Sequence, residues 1–156
     1  FTGAQGVPVF VSAAIHNDGI VVDTRSSTQD ADLFLEDALT HAHKEFGLAN
    51  YAELPIKKLY VSEVYIKLDA PFEFDKKWTL FAEALSSAVS GKKFGPLKPT
   101  ALNFGSDPNH SERVATFRFE REINAPFEEN RFYSLATTQT VTHLHLLEML
   151  EKLLLN

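Results

Sequence analysis

Cysteine is missing altogether, and methionine and tryptophan occur once each in 156 residues. Without thiols the chain can form no disulfide framework, and no thiolate can act as nucleophile or metal ligand. No apolar run approaches the roughly 20 residues that span a bilayer as a helix, which argues against a membrane role. No secretory leader pattern is visible. The sequence begins at Phe1 rather than methionine, which points to a processed or excised start; a cytoplasmic setting is the default expectation. Positive charge is in deficit, with 15 Lys and Arg against 21 Asp and Glu, for a formal net charge of −6. Nucleic acid is therefore a poor partner, because phosphate binding needs a basic face. There is no P-loop and no GxGxxG after a strand, so a standard nucleotide cradle is not expected. GxSxG elbows and HExxH helices are absent too, and nothing implies a cofactor or a metal.

Phenylalanine, by contrast, is abundant. Thirteen of these residues in a chain that is 44% hydrophobic suggest a generous core, an apolar pocket or a subunit interface. The length suits a single domain over residues 1–156. Residues 59–69 read as its central strand. Tyr60, Ser62, Val64, Ile66 and Leu68 share one face, and Leu59, Val61, Glu63, Tyr65 and Lys67 share the other. Ala-Pro-Phe-Glu follows at Ala70–Glu73 and recurs at Ala125–Glu128, after a second strand-like run. One pair of similar turns is too little for a repeat architecture.

Taken in order, residues 1–6 read as a flexible lead-in. Residues 7–15 and 20–25 form a hairpin around His16-Asn-Asp-Gly19, where Asp-Gly supplies the positive φ angles of a tight turn. Ser26 and Gln29 have capping-box spacing at the start of a helix. Its apolar stripe is Ala31, Leu35, Ala38, Leu39, Ala42 and Phe46, and Gly47 ends it. A second helix over 76–89, capped by Asp75, carries Trp78, Phe81, Leu85 and Val89 on one face. Residues 91–112 read as a long irregular loop with a short strand near 100–104. Strands are expected over 113–123 and 131–137. A helix over 140–155 closes the chain, with Leu146, Leu147, Leu150, Leu153 and Leu154 as its buried stripe. The order ββαβα-(β)-ββα implies an α+β fold, a mostly antiparallel sheet with helices packed on one face.

Candidate chemistry is sparse. His41 with His43, and His143 with His145, are two apart on helices and point away from each other, so neither pair chelates. His41 and Glu45 have i,i+4 spacing, but a second ligand cluster is lacking. His110 lies in the long loop beside Asp107, Ser111, Glu112 and Arg113, where an imidazole could act as acid or base. Lys92, Lys93 and Lys98 alternate with Phe94, Pro96, Leu97 and Pro99, a pattern that suits an anion or a single strand of nucleic acid. The bland alternatives are a solvated loop and inert surface histidines. Leu146, Leu150, Leu153 and Leu154 are interface candidates, because the terminal helix is apolar over a broad arc.

The element order of residues 7–104, ββαβαβ, resembles that of the small trimeric enamine/imine deaminase proteins and of chorismate-mutase-like folds. The resemblance is one of element order alone and implies assembly, with small ligands held between subunits. Two readings of function follow. The leading one is a non-enzymatic domain that associates with itself or with another protein. The alternative is a small-molecule-binding protein or enzyme with an aromatic pocket under the sheet or between subunits, for which Lys92, Lys93, Lys98 and His110 are the polar handles.

Overall fold

Strand β1 (Val11–His16) and strand β2 (Gly19–Thr24) open the regular structure. Helix α1 (Thr28–Phe46), strand β3 (Ser62–Lys67) and helix α2 (Lys76–Ala88) follow. Strands β4 (Ala101–Gly105), β5 (Thr116–Arg121) and β6 (Arg131–Ala136) lead to the last helix, α3 (Thr140–Leu154). This computed structural model describes residues 1–69, 76–89, 95–109 and 115–154. The protein is an α+β fold, and its described residues form two antiparallel sheets, one of two strands and one of four. It divides into two compact units, residues 1–62 with 137–144, and residues 63–136 with 145–156.

In the first unit β1 and β2 pair as a hairpin, with His16 opposite Gly19 and Ile15 opposite Ile20. The apolar face of β1 that carries Val11, Ala13 and Ile15 lies largely in solvent: Ile15 is 84% exposed. The reason is the pairing. Among the described residues no third strand pairs with this hairpin, and α1 packs chiefly against β2. Residues 1–6, expected as a flexible lead-in, fold into a hydrogen-bonded turn. Gly3 donates to the Val7 carbonyl, Val9 donates to the Phe1 carbonyl, and the Phe1 ring stands edge-on to Phe34 at 5.6 Å. The turn is fastened to Asp30, whose Oδ1 accepts from Ala4 N at 2.7 Å. A Cβ on Gly3 would lie 2.5 Å from that oxygen, so only glycine fits there.

The cap of α1 is Ser27, one residue later than the capping-box spacing suggested. Its Oγ accepts from Asp30 N at 3.2 Å and donates to Asp30 Oδ2 at 3.0 Å. The Ser26 hydroxyl, the Ala4 N–H and the Ser27 hydroxyl hold the Asp30 carboxyl below its usual range, against the cost of burial. Gly47 ends α1 in the left-handed region at φ 65°, as expected. Lys58 and Tyr60 fix the approach to β3 on α1, at 2.8 Å and 2.9 Å from the two carboxylate oxygens of Asp32.

In the second unit the sheet order is β3-β6-β5-β4. Strand β3 is therefore an edge strand and not the centre; β6 and β5 are the inner strands. Its alternation nonetheless reads correctly: Ser62 and Leu68 are buried and Val64 and Ile66 half-buried, while Glu63, Tyr65 and Lys67 face water. The core gathers Leu68, Phe119, Phe132 and Leu147. Phe119 and Phe132 stack with centroids 4.6 Å apart. Helix α3 supplies Leu147, Leu150 and Leu154 to this cluster.

The hairpin forms its own sheet and β3 pairs with β6. Over residues 11–105 the order ββαβαβ is therefore present, but its strands fall in two sheets. The two Ala-Pro-Phe-Glu segments also part company. The stretch after the first enters α2, whereas the second itself runs into the short turn Phe127–Glu129, which leads to β6. The first copy itself and the Asp75 cap lie outside the described residues.

Candidate functional site

Helix α2 has the apolar stripe its sequence announces, but only Ala82 is buried. Trp78 and Phe81 are 60% and 61% exposed, and Leu85 and Val89 also face water. Trp78, Phe81, Ala82 and Leu85 form one wall of a groove. Leu97, Lys98, Pro99 and Thr100, with Ala101 and Leu102 at the start of β4, form the other. The groove encloses about 390 Å³.

Its walls are tied together by hydrogen bonds. Ser86 Oγ accepts from Leu97 N at 2.8 Å while donating to the Ala82 carbonyl at 2.6 Å. At the far end the Thr100 carbonyl accepts from Arg121 N at 2.8 Å, which joins the wall to β5. The lining is apolar apart from Lys98 and Thr100. The Lys98 ammonium sits 5.5 Å above the Phe127 ring, and the Arg121 guanidinium lies 4.7 Å from the same ring. Burial pushes the Arg121 guanidinium down from its ordinary value, and the nearby Glu128 offsets part of that shift. It remains a cation at neutral pH.

Of the expected handles, Lys98 lines this groove, whereas Lys92, Lys93 and His110 lie outside the described residues. The interface candidates separate into two sets. Leu150 and Leu154 pack on the core; Leu146 and Leu153 face solvent, Leu153 at 74%. His41 meets Phe46 edge-on at 6.2 Å, and His43 Nδ1 donates to the Leu48 carbonyl at 2.6 Å, closing the end of α1. Among the described residues no group of three or more His, Asp or Glu side chains could hold a metal ion. Among them, too, no helix is long and apolar enough to cross a membrane.

A second polar arrangement went unnoticed in the sequence. Thr28 and Thr140, the first residues of α1 and α3, cap each other. Thr28 N donates to Thr140 Oγ1 at 3.0 Å, and Thr140 N donates to Thr28 Oγ1 at 2.9 Å. Ser62 Oγ donates to Thr140 Oγ1 at 3.3 Å, and His143 Nδ1 lies 3.0 Å from Ser62 Oγ. In the tautomer that carries its proton on Nδ1 the imidazole donates to Ser62 Oγ, which in turn donates to Thr140. Ser62 and His143 are both buried, and burial pushes the His143 pKa down, so the ring is neutral. A serine beside an imidazole invites a nucleophilic reading, but both side chains are buried, and the cluster joins two helix starts to Ser62. The signal was present: His143, Leu147, Leu150 and Leu154 recur at i, i+4, i+7 and i+11, one helical face.

No family model, no curated protein and no solved structure matches the chain.

Proposed function

We propose that this chain is a non-enzymatic α+β domain that works by associating with a second copy of itself. The observation that carries the reading is the outer flank of α3. Leu146, Met149 and Leu153 follow one another at i, i+3 and i+7, and all three are exposed beside the stripe that packs on the core. A helix whose apolar arc is wider than its own sheet covers presents the rest to another surface. In a two-fold pairing of antiparallel α3 helices, Leu146 of one copy meets Leu153 of the other and Met149 lies near the axis, so one patch serves both partners.

The test is size-exclusion chromatography with light scattering, alongside native mass spectrometry. The unaltered protein should run as a dimer or a larger closed assembly. The pair Leu146→Glu and Leu153→Glu should run as a monomer with an unchanged far-ultraviolet spectrum. A monomeric parent, or an assembly indifferent to both glutamates, would sink the reading.

A further inference from the structure

We propose that the groove between α2 and β4 binds a small amphipathic acid, with an acyl or aryl body against Trp78, Phe81, Leu85 and Leu97 and a carboxylate at Lys98. The site is separate from the α3 flank, so the inference stands or falls independently of self-association.

The walls argue for an apolar body. Trp78, Phe81 and Leu85 occupy i, i+3 and i+7 of α2 and face Leu97, Pro99 and Leu102 across the opening. Apolar surface of this extent is costly to leave wet, since each Å² returned to an apolar surrounding is worth about 25 cal/mol. The hydrogen bond from Leu97 N to Ser86 Oγ holds the two walls together at one end, and the bond from Arg121 N to the Thr100 carbonyl anchors the second wall to β5. A ligand therefore has little ordering to impose on the protein. The groove's 390 Å³ lies at the small end of the about 300–1,000 Å³ of ligand sites. That suits a single acyl chain or one or two rings rather than a nucleotide.

The rim argues for the acid. Among the described residues Lys98 is the only ionisable side chain lining the groove, and no carboxylate among them is paired with it. Its ammonium and the Arg121 guanidinium both lie against the Phe127 ring, at 5.5 Å and 4.7 Å from its centre, and Glu128 acts on Arg121, so Lys98 is the cation left for a ligand on a chain of net charge −6. An amine at the same position would meet like charge. A carboxylate gains a charge-assisted hydrogen bond where a neutral alcohol gains only an ordinary one.

Trp78 is the one tryptophan of the sequence, so its emission reports this groove alone. The experiment titrates the full chain with decanoate, decanol and decyltrimethylammonium, each below its micelle concentration, while light scattering follows the oligomeric state. Decanoate should shift the Trp78 emission to the blue and saturate. Decanol should bind about tenfold more weakly, the value of one charge-assisted bond, and the ammonium more weakly still. Lys98→Ala should lower decanoate affinity by about the same factor and leave decanol unchanged. Lys98 is exposed, so this variant keeps its fold. Phe81→Ser should weaken both ligands, and Leu146→Glu with Leu153→Glu should affect neither. Absence of a saturable response to decanoate overturns the proposal. So does equal binding of all three amphiphiles with no effect of Lys98→Ala, which would mark the groove as unselective apolar surface.

Discussion

His143 is fully buried and hydrogen-bonded to Ser62, and its surroundings favour the neutral ring. The helices that begin beside it direct the positive ends of their dipoles toward the cluster. Of the described ionisable groups nearby, Asp30 is engaged by Ala4 and Ser27, Glu63 points to the other face of β3, and His145 is exposed. Burial alone lowers the His143 pKa. The unfolded chain therefore binds a proton at a higher pH than the folded one does. Stability from this residue is fully present above the unfolded histidine value, near 6.5, and is lost as pH falls through the folded value. Urea midpoints should drop between pH 7.5 and pH 5.5, with a slope from this one group of at most about 1.4 kcal/mol per pH unit. In His143→Asn, whose amide can still donate to Ser62, that part of the slope should vanish. An unchanged pH profile in the variant would show that another group titrates.

Among the elements, the turn before β6 offers a sharp test. Asn130 has φ 50°, the one described non-glycine residue with positive φ, and its carbonyl accepts from Leu68 N at 3.0 Å, joining the end of β3 to the sheet. Asn130→Ala should lower stability by about 1 kcal/mol, the cost of placing an ordinary side chain in the left-handed region. Asn130→Gly should be close to neutral, because glycine adopts that region freely at some entropic cost. Equal losses in both would point to the asparagine amide instead of the backbone. This turn also shows where sequence reasoning succeeds and stops. Alternation in β3 revealed which side chains turn inward, since period two is local to the strand. Whether β3 lies at the centre or the edge depends on which strand pairs with it, and no residue of β3 encodes that. Helical spacing likewise placed α2 and α3 to within a residue or two. It could not show that Trp78 and Phe81 stay in solvent, because burial needs a facing element. It also passed over His143, because the pairing that was weighed was its neighbour two residues on, not the leucines one turn below.

At the scale of the whole molecule, charge and apolar surface oppose each other. Each copy carries a formal charge of −6, so two copies repel as they approach. The α3 flank that is proposed to join them is apolar at Leu146, Met149 and Leu153, and burial of such side chains is insensitive to moderate salt. Screening then acts on the repulsion alone. The Debye length falls from about 30 Å at 0.01 M to about 10 Å at 0.1 M, which removes most of the long-range cost of bringing two acidic copies together. Self-association should therefore tighten as sodium chloride rises through this range. It should tighten further in sodium sulfate at matched ionic strength, because sulfate is excluded from protein surface and favours apolar burial. Sedimentation equilibrium at a series of salt concentrations measures the trend. A dimer that weakens with salt would instead be held by ion pairs, and the interface would have to be sought on a charged surface such as the outer sheet face that carries Arg118 and Glu120, paired at 2.7 Å. Because the leucine-to-glutamate pair adds negative charge as well as polarity, Leu146→Ser with Leu153→Ser is the control. If the apolar flank is the contact, the serine pair should dissociate the dimer at every salt concentration, whereas a purely electrostatic effect of the glutamates would be recovered by screening.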